Sequence, residues 1–204
     1  MMECFPPFSD DDQHIIRQLL LVEEGIVVYP TETFYALGCA AHSDKAVKRV
    51  YQLKKRNRTL PLLVLISDWD MFTRHFIEVT REQRRFLCKH WPGPLTAVLK
   101  SQEKLSPSLN VKGPHIGVRM TSSAVAQDLI NLLAIPLVGT SANHAAEDEM
   151  TELEEVKAVF GNEIDVYING GKTPGGKPST VVDMTDADTF NVIREGAVSL
   201  QGDR

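Results

Sequence analysis

The chain has 204 residues, of which 43% are hydrophobic and 24% charged, and a formal net charge of -5. That is enough apolar material for one substantial core, and the acidic balance excludes nonspecific attraction of the whole molecule to nucleic acid or an anionic membrane. The longest apolar stretches, such as 62–66, are too short to cross a bilayer, and the segment Met1 to Asp12 is acidic rather than signal-like, so a cytoplasmic location is expected.

In chain order, Ser9 and Asp10 to Asp12 cap a helix whose apolar stripe is Ile15, Leu19 and Val22, with Gly25 as its stop. A buried strand follows over 26–29, and Pro30 ends it. Asp44 is placed to cap a second helix, with Val47, Val50 and Tyr51 inward and Lys45, Lys48 and Arg49 outward. Residues 62–66 read as a strand, 70–76 and 80–90 as helices, and Trp91-Pro92-Gly93-Pro94 as a breaker. Strands at 95–99 and 116–120 flank a Ser/Pro/Gly loop, and a strongly apolar helix spans 124–133. A short strand over 136–139 opens into Thr140-Ser141-Ala142-Asn143. Thr151 and Glu154 form a capping box, and 164–168, 180–184 and 191–194 read as strands. Strands and helices mix without strict alternation, which predicts an α/β (α+β) domain built on a twisted mixed sheet with helices packed on it.

Metal and redox signals are weak. Cys4, Cys39 and Cys88 are widely spaced and suit reduced structural thiols, and the six histidines show no paired ligand spacing. The segment 170–180 has the glycines and lysine of a phosphate-binding loop. Pro178 stands where that loop needs a hydroxyl, however, and a strand rather than a helix follows. Polar residues instead gather just after apolar strands, where such sheets hold ligands. Pro30-Thr31-Glu32-Thr33-Phe34-Tyr35 offers two hydroxyls, a carboxylate and a phenol, suited to an amino-acid or sugar site or equally to an ST-type turn with Glu32 in solvent. Lys54, Lys55, Arg56 and Arg58 read as a solvated helix end that could instead hold phosphate oxygens or touch RNA backbone. Gly139 to Asn143 could form an anion nest, and the acidic run at 147–149 reads as solvated.

Taken together and in order, these segments resemble the YrdC/Sua5 family of threonylcarbamoyl-AMP synthases. The resemblance rests on PTETFYALG at 30–38, Lys54 with Arg56, Trp91 to Thr96, Val118-Arg119, Ser141-Ala142-Asn143, Ser179 to Asp183 and Arg194 to Ala197. It implies a single YrdC/RibB-like domain over 1–204, with a core of about 10–200, in the short YrdC-like form. It also implies a nucleotidyltransferase that makes L-threonylcarbamoyladenylate and pyrophosphate from L-threonine, bicarbonate and ATP, toward the N6-threonylcarbamoyl modification of tRNA. On this resemblance Lys54 and Arg56 are the catalytic cations, and Lys54, Arg56, Arg119, Thr140, Ser141, Asn143 and Arg194 bind ATP. Thr31, Thr33, Tyr35 and Ser179 bind threonine. Mg2+ arrives with ATP, with no protein-held metal and no tightly bound organic cofactor, and the implied partners are a downstream transferase complex and, indirectly, tRNA. The chain departs from the family pattern at Leu60, Leu65 and Ala36, and at Ala145-Ala146, where the family has a Ser-Gly pair. Two other readings stay open: an RNA-binding or ribosome-maturation module with a basic face of Lys45, Lys48, Arg49, Lys54, Lys55, Arg56 and Arg58, and a YciO-like relative acting on another small carboxylate.

Overall fold

Strands that are apolar on both faces must be covered on both, and this requirement shapes the molecule. The computed structural model describes residues 1–102, 104–109, 113–187 and 189–200, so residues 103 and 110–112 of the Ser/Pro/Gly loop lie outside the described residues. The strands are β1 (Met2–Cys4), β2 (Val27–Pro30), β3 (Tyr35–Gly38), β4 (Leu63–Ile66), β5 (Leu95–Lys100), β6 (His115–Met120), β7 (Leu137–Ser141), β8 (Val166–Ile168), β9 (Thr180–Asp183) and β10 (Asn191–Arg194). They form one mixed sheet in the order β1-β8-β2-β3-β7-β4-β6-β5-β9-β10. The helices are α1 (Asp10–Arg17), α2 (Asp44–Leu53), α3 (Trp69–His75), α4 (Arg81–His90), α5 (Ala124–Leu133) and α6 (Leu153–Phe160). Every residue of β2, β3 and β8 is buried, as the continuous apolar runs require.

The mixed sheet expected from the irregular alternation is present, with parallel pairs such as β4 with β6 beside antiparallel ones such as β3 with β7. Several local expectations need correction. The first helix buries Ile16 and Leu20, while Ile15 and Val22 are exposed. Apolar residues at adjacent positions allow two stripes, and the helix widens into a π turn over Gln18–Val22 that selects the second. Its stop is Glu24 at φ 58 rather than Gly25. Ser43, not Asp44, caps α2 by accepting from the Ala46 amide at 3.0 Å. Glu155, not Glu154, receives the amides of Thr151 and Glu152, each at 3.1 Å.

Two strands went unread. Three-residue β1 is too short to show a period, and β3 lies inside the polar PTETFYALG segment, where a turn was expected. Gly38 lets β3 close on β7, because a β-carbon there would lie 2.0 Å from the Val138 carbonyl oxygen. The strand over 136–139 runs on to Ser141, so Thr140 and Ser141 sit on a strand end and not in an anion nest. Among the described residues no helix is long and apolar enough to cross a membrane.

Candidate active site

Alternate residues of a strand face the same side. On β6 these are His115, Gly117 and Arg119, on β5 Thr96 and Val98, and on β9 Val181 and Asp183. All of them line one cavity of about 640 Å³. Its other walls come from Thr31, Thr33 and Tyr35 between β2 and β3, from Gly139 to Ser141 on β7, and from Arg56, Ser179, Ile193 and Arg194.

On one side of the cavity the hydroxyls are tied to the fold. Thr31 Oγ1 donates to the Phe34 carbonyl at 2.8 Å and accepts the Thr33 amide at 3.2 Å, the ST-type turn that the sequence allows. With that proton placed, the 3.1 Å contact between the two threonines runs from Thr33 to Thr31. Thr33 Oγ1 therefore keeps its lone pairs for a donor such as an ammonium group. Tyr35 is buried and donates to the Gly171 carbonyl at 2.6 Å, so its ring is a wall and its hydroxyl is engaged.

The β7 end is stitched by a buried cation. Lys54 is 1% exposed, and its ammonium donates to the carbonyls of Ser141 at 2.5 Å and Asn143 at 2.8 Å and to Asn143 Oδ1 at 2.8 Å. Ser141 Oγ donates to the same Oδ1 at 2.7 Å, and Asn143 Nδ2 to the Glu147 carbonyl at 2.6 Å. An unpaired buried ammonium would be costly, and three acceptors offset that cost. Burial, followed by the nearby charge of Arg56, pulls Lys54 down to about 7, while Glu149 and Glu147 act in the opposite direction.

On the opposite side the charge is held open. Arg56 donates to the carbonyls of Leu60 at 3.3 Å and Pro61 at 3.2 Å, which aim its guanidinium at the cavity. Arg194 grips the Ser179 carbonyl through Nη2 at 2.8 Å and Nε at 3.2 Å, and Ser179 Oγ lies 3.0 Å from Thr96 Oγ1. Arg119 is buried with its Nε 3.4 Å from Glu32 Oε1. Burial lowers the Arg194 pKa, Glu149 raises it, and Arg119 and Arg56 lower it further, so these four side chains share one electrostatic basin.

The strong turn signals explain how the strands meet. In the 91–96 segment, Trp91 Nε1 donates to the Leu95 carbonyl at 2.7 Å and the Gly93 amide to the Met120 carbonyl at 2.9 Å, while Pro94 accepts the Thr180 amide at 3.0 Å. Three strand ends are thereby locked around Thr96 and Ser179. Gly196 packs onto the same point, since a β-carbon there would lie 2.2 Å from the Pro178 carbonyl oxygen. Of the expected site residues, Thr31, Thr33, Tyr35, Arg56, Arg119, Thr140, Ser141, Ser179 and Arg194 line the cavity, whereas Lys54 and Asn143 stand behind its wall. Thr96, His115, Glu149 and Asp183 also line it and had no assigned role. Alternation along β5 and β9 from Thr96 and Ser179 was the signal for Asp183. Glu149, read as solvated, is exposed and lies at the cavity wall.

Four of the seven residues of the basic face read for RNA are paired or buried. Lys45 pairs with Glu24 at 3.3 Å, Lys48 with Asp44 at 2.6 Å and Arg49 with Asp165 at 2.6 Å, while Lys54 is buried. Glu32, which the ST-type turn reading would leave in solvent, is instead largely buried against Arg119 and Thr121.

A family profile described as "Telomere recombination", covering Sua5, YciO and YrdC proteins, matches residues 19–196. The threonylcarbamoyl-AMP synthase of Pyrococcus abyssi is 33% identical over 181 residues, which cover 88% of this chain and 53% of that protein. The crystal structure of P. abyssi Sua5 complexed with L-threonine superposes with a TM-score of 0.90 at 29% identity, over 98% of this chain and 59% of the other. The crystal structure of E. coli YciO superposes with a TM-score of 0.84 at 29% identity and covers 98% of both chains. The present chain thus spans little more than half the length of the Pyrococcus relative. By its sequence match over residues 19–196 and its superposable sheet, the chain belongs to the YrdC/Sua5 family.

Proposed function

We propose that this protein joins L-threonine, bicarbonate and ATP, with release of water and pyrophosphate, into L-threonylcarbamoyladenylate, the activated donor for threonylcarbamoylation of tRNA adenosine. The observation that carries this reading is the convergence of Arg56, Arg119 and Arg194 on one cavity that also presents Thr33, Ser141 and Ser179. Three guanidinium groups match a triphosphate, which Arg recognises through paired N–H donors. Thr33 Oγ1, with lone pairs unshared by its own fold contacts, matches the ammonium of an amino acid. The P. abyssi protein crystallised with L-threonine supports an amino-acid half-site.

Formation of the adenylate needs a carbamate oxygen to attack the α-phosphorus as pyrophosphate leaves. In this reading Arg56 and Arg194 spread the charge that builds on the phosphate oxygens, and the strand-borne hydroxyls hold the amino acid in line. Lys54 acts from behind the wall by fixing Ser141 and Asn143. Glu149 and Asp183 are the carboxylates beside the cavity, and among the described residues no group of three or more His, Cys, Asp or Glu could hold a metal. That donor set fits Mg2+ entering on the nucleotide better than a resident ion, the ion neutralising phosphate charge as part of the substrate.

The near-complete mutual coverage with E. coli YciO favours a second reading, the use of the same cavity for a different small carboxylate. Thermal shift separates the two. Binding to the native state raises the melting temperature, so L-threonine with Mg2+ and ATP should stabilise the protein more than either alone or than other amino acids with ATP. A larger shift with another carboxylate moves the assignment to the second reading, and no shift with ATP removes both.

A further inference from the structure

Glu32 sits between the two halves of the cavity without lining it. Its Oε2 accepts a hydrogen bond from Thr121 Oγ1 at 2.5 Å, and its Oε1 faces Arg119 Nε at 3.4 Å. The side chains of Arg119 and Glu32 are only 7% and 11% exposed. Neither Oε1 nor Nε has a hydrogen-bond partner, so the pair is held by charge and packing rather than by a bonded fork. Such a contact is an uneconomical way to stabilise a fold, because both ions are desolvated while one donor and one acceptor stay unmatched.

The anchoring of Glu32 is far better than its pairing. Thr121 Oγ1 also accepts the Ser123 amide at 3.2 Å, Ser123 Oγ donates to the Pro30 carbonyl at 2.9 Å, and Gln127 Nε2 donates to the Thr121 carbonyl at 2.8 Å. The start of α5 therefore clamps the loop that carries Thr31 and Thr33 and, through it, Glu32. Arg119, by contrast, is placed on β6 by its backbone register opposite Leu65, makes no side-chain hydrogen bond to the described residues, and lines the cavity.

We infer that Glu32 is a positioning residue: the carboxylate, fixed by Thr121, draws Nε of Arg119 to the rear and turns the outer guanidinium nitrogens toward the ligand. This inference rests on reading the cavity as a nucleotide site. It also links the threonine loop to the phosphate side, since a shift of residues 31–33 moves the carboxylate that aims Arg119.

The test is a double-mutant cycle on pyrophosphate release, with kcat and the KM for ATP determined for the wild type and for Glu32→Ala, Arg119→Ala and the double variant. Residues that act as a unit are non-additive, so the expected losses in kcat/KM are about tenfold for Glu32→Ala and about a hundredfold for Arg119→Ala. The double variant should lie within about twofold of Arg119→Ala alone. A purely structural role costs the same in both backgrounds, and multiplied losses overturn the inference, as does a Glu32→Ala enzyme equal to wild type. Glu32→Gln keeps the shape and the acceptor for Thr121 but removes the charge that draws Nε, so it should recover little of the loss, and full recovery would point to a steric role instead. Thr121→Val should lose about threefold in the same direction, and it carries the test if Glu32→Ala does not fold. Binding of inorganic pyrophosphate, followed by calorimetry, separates the two levels. A wild type that binds neither pyrophosphate nor ATP removes the nucleotide reading itself, whereas an active wild type with a multiplicative cycle removes only the role of Glu32.

Discussion

The two sides of the cavity are built on opposite principles. On the β3 and β7 side, Thr31, Tyr35, Ser141, Asn143 and Lys54 are linked to one another or to main-chain carbonyls by short hydrogen bonds. On the opposite side Arg56 and Arg194 are anchored by one or two carbonyls each, and Arg119 faces a carboxylate without a hydrogen bond. The first side is a shape, satisfied without a ligand. The second is a store of positive charge that only an anion can complete. A site of this kind selects a small neutral or zwitterionic group by fit and a polyanion by charge, and substitutions should affect the two sides differently.

Breaking the charged side gives the largest expected effect. Arg56→Ala should lower kcat/KM for ATP by about a hundredfold or more, the scale of losing a charge-assisted contact in the transition state. Its hydrogen bonds reach only the exposed 60–61 turn, so the melting temperature should move by no more than about 2 °C. A large drop in stability would place Arg56 with the structural side.

Breaking the shape side should do the reverse. Lys54→Met removes three hydrogen bonds of the buried ammonium, leaving the Asn143 carbonyl without a donor while the Ser141 carbonyl and Asn143 Oδ1 keep one each, and should cost about 3 kcal/mol in urea unfolding. The pH dependence sharpens this. Lys54 titrates near 7 in the folded protein, against the ordinary 10.5 of the free side chain. Below pH 7 both states carry the proton, and between the two values only the unfolded chain does, so this group adds stability as pH rises through that window. The deficit of Lys54→Met relative to wild type should therefore be larger at pH 9 than at pH 6. An equal deficit at both values would mean that the three acceptors keep the ammonium charged.

The next effect down isolates Thr33 from Thr31. Thr33→Val removes the hydroxyl with free lone pairs and should raise the KM for L-threonine about tenfold with the KM for ATP within twofold, the worth of one hydrogen bond to a charged group. Equal changes in both constants would erase the distinction between the sides. The smallest effect concerns Ala146, which stands at φ 70 where the family pattern has the glycine of its Ser-Gly pair. A β-carbon is strained in the left-handed region, so Ala146→Gly should stabilise by up to about 1 kcal/mol and leave both KM values unchanged.

Much of this architecture was legible in the sequence, and the failures share a cause. Long apolar segments such as Ala124 to Leu133 announced themselves, because burial on one face imposes a period. Strand β3 did not, since its residues follow a Thr-rich turn and its pairing with β7 depends on Gly38 meeting a carbonyl from a hundred residues away. The cavity residues Thr31, Thr33, Ser179 and Arg194 were found through motif order. What motif order left out was direction. Nothing local shows that Lys54 turns inward onto Ser141 and Asn143, or that Glu32 leaves solvent to face Arg119, because both outcomes are decided by partners on distant strands. Glu149 is exposed, as the acidic loop suggested, but only the fold shows that it also stands at the cavity wall within the field of Arg194.

The central claim is that the arginines of the charged side take a nucleotide and Thr33 of the shaped side an amino acid for a single reaction. Pyrophosphate release from ATP and Mg2+, measured with L-threonine or bicarbonate omitted in turn, tests it most directly. Release that requires both is the predicted result, and release indifferent to either omission would contradict it.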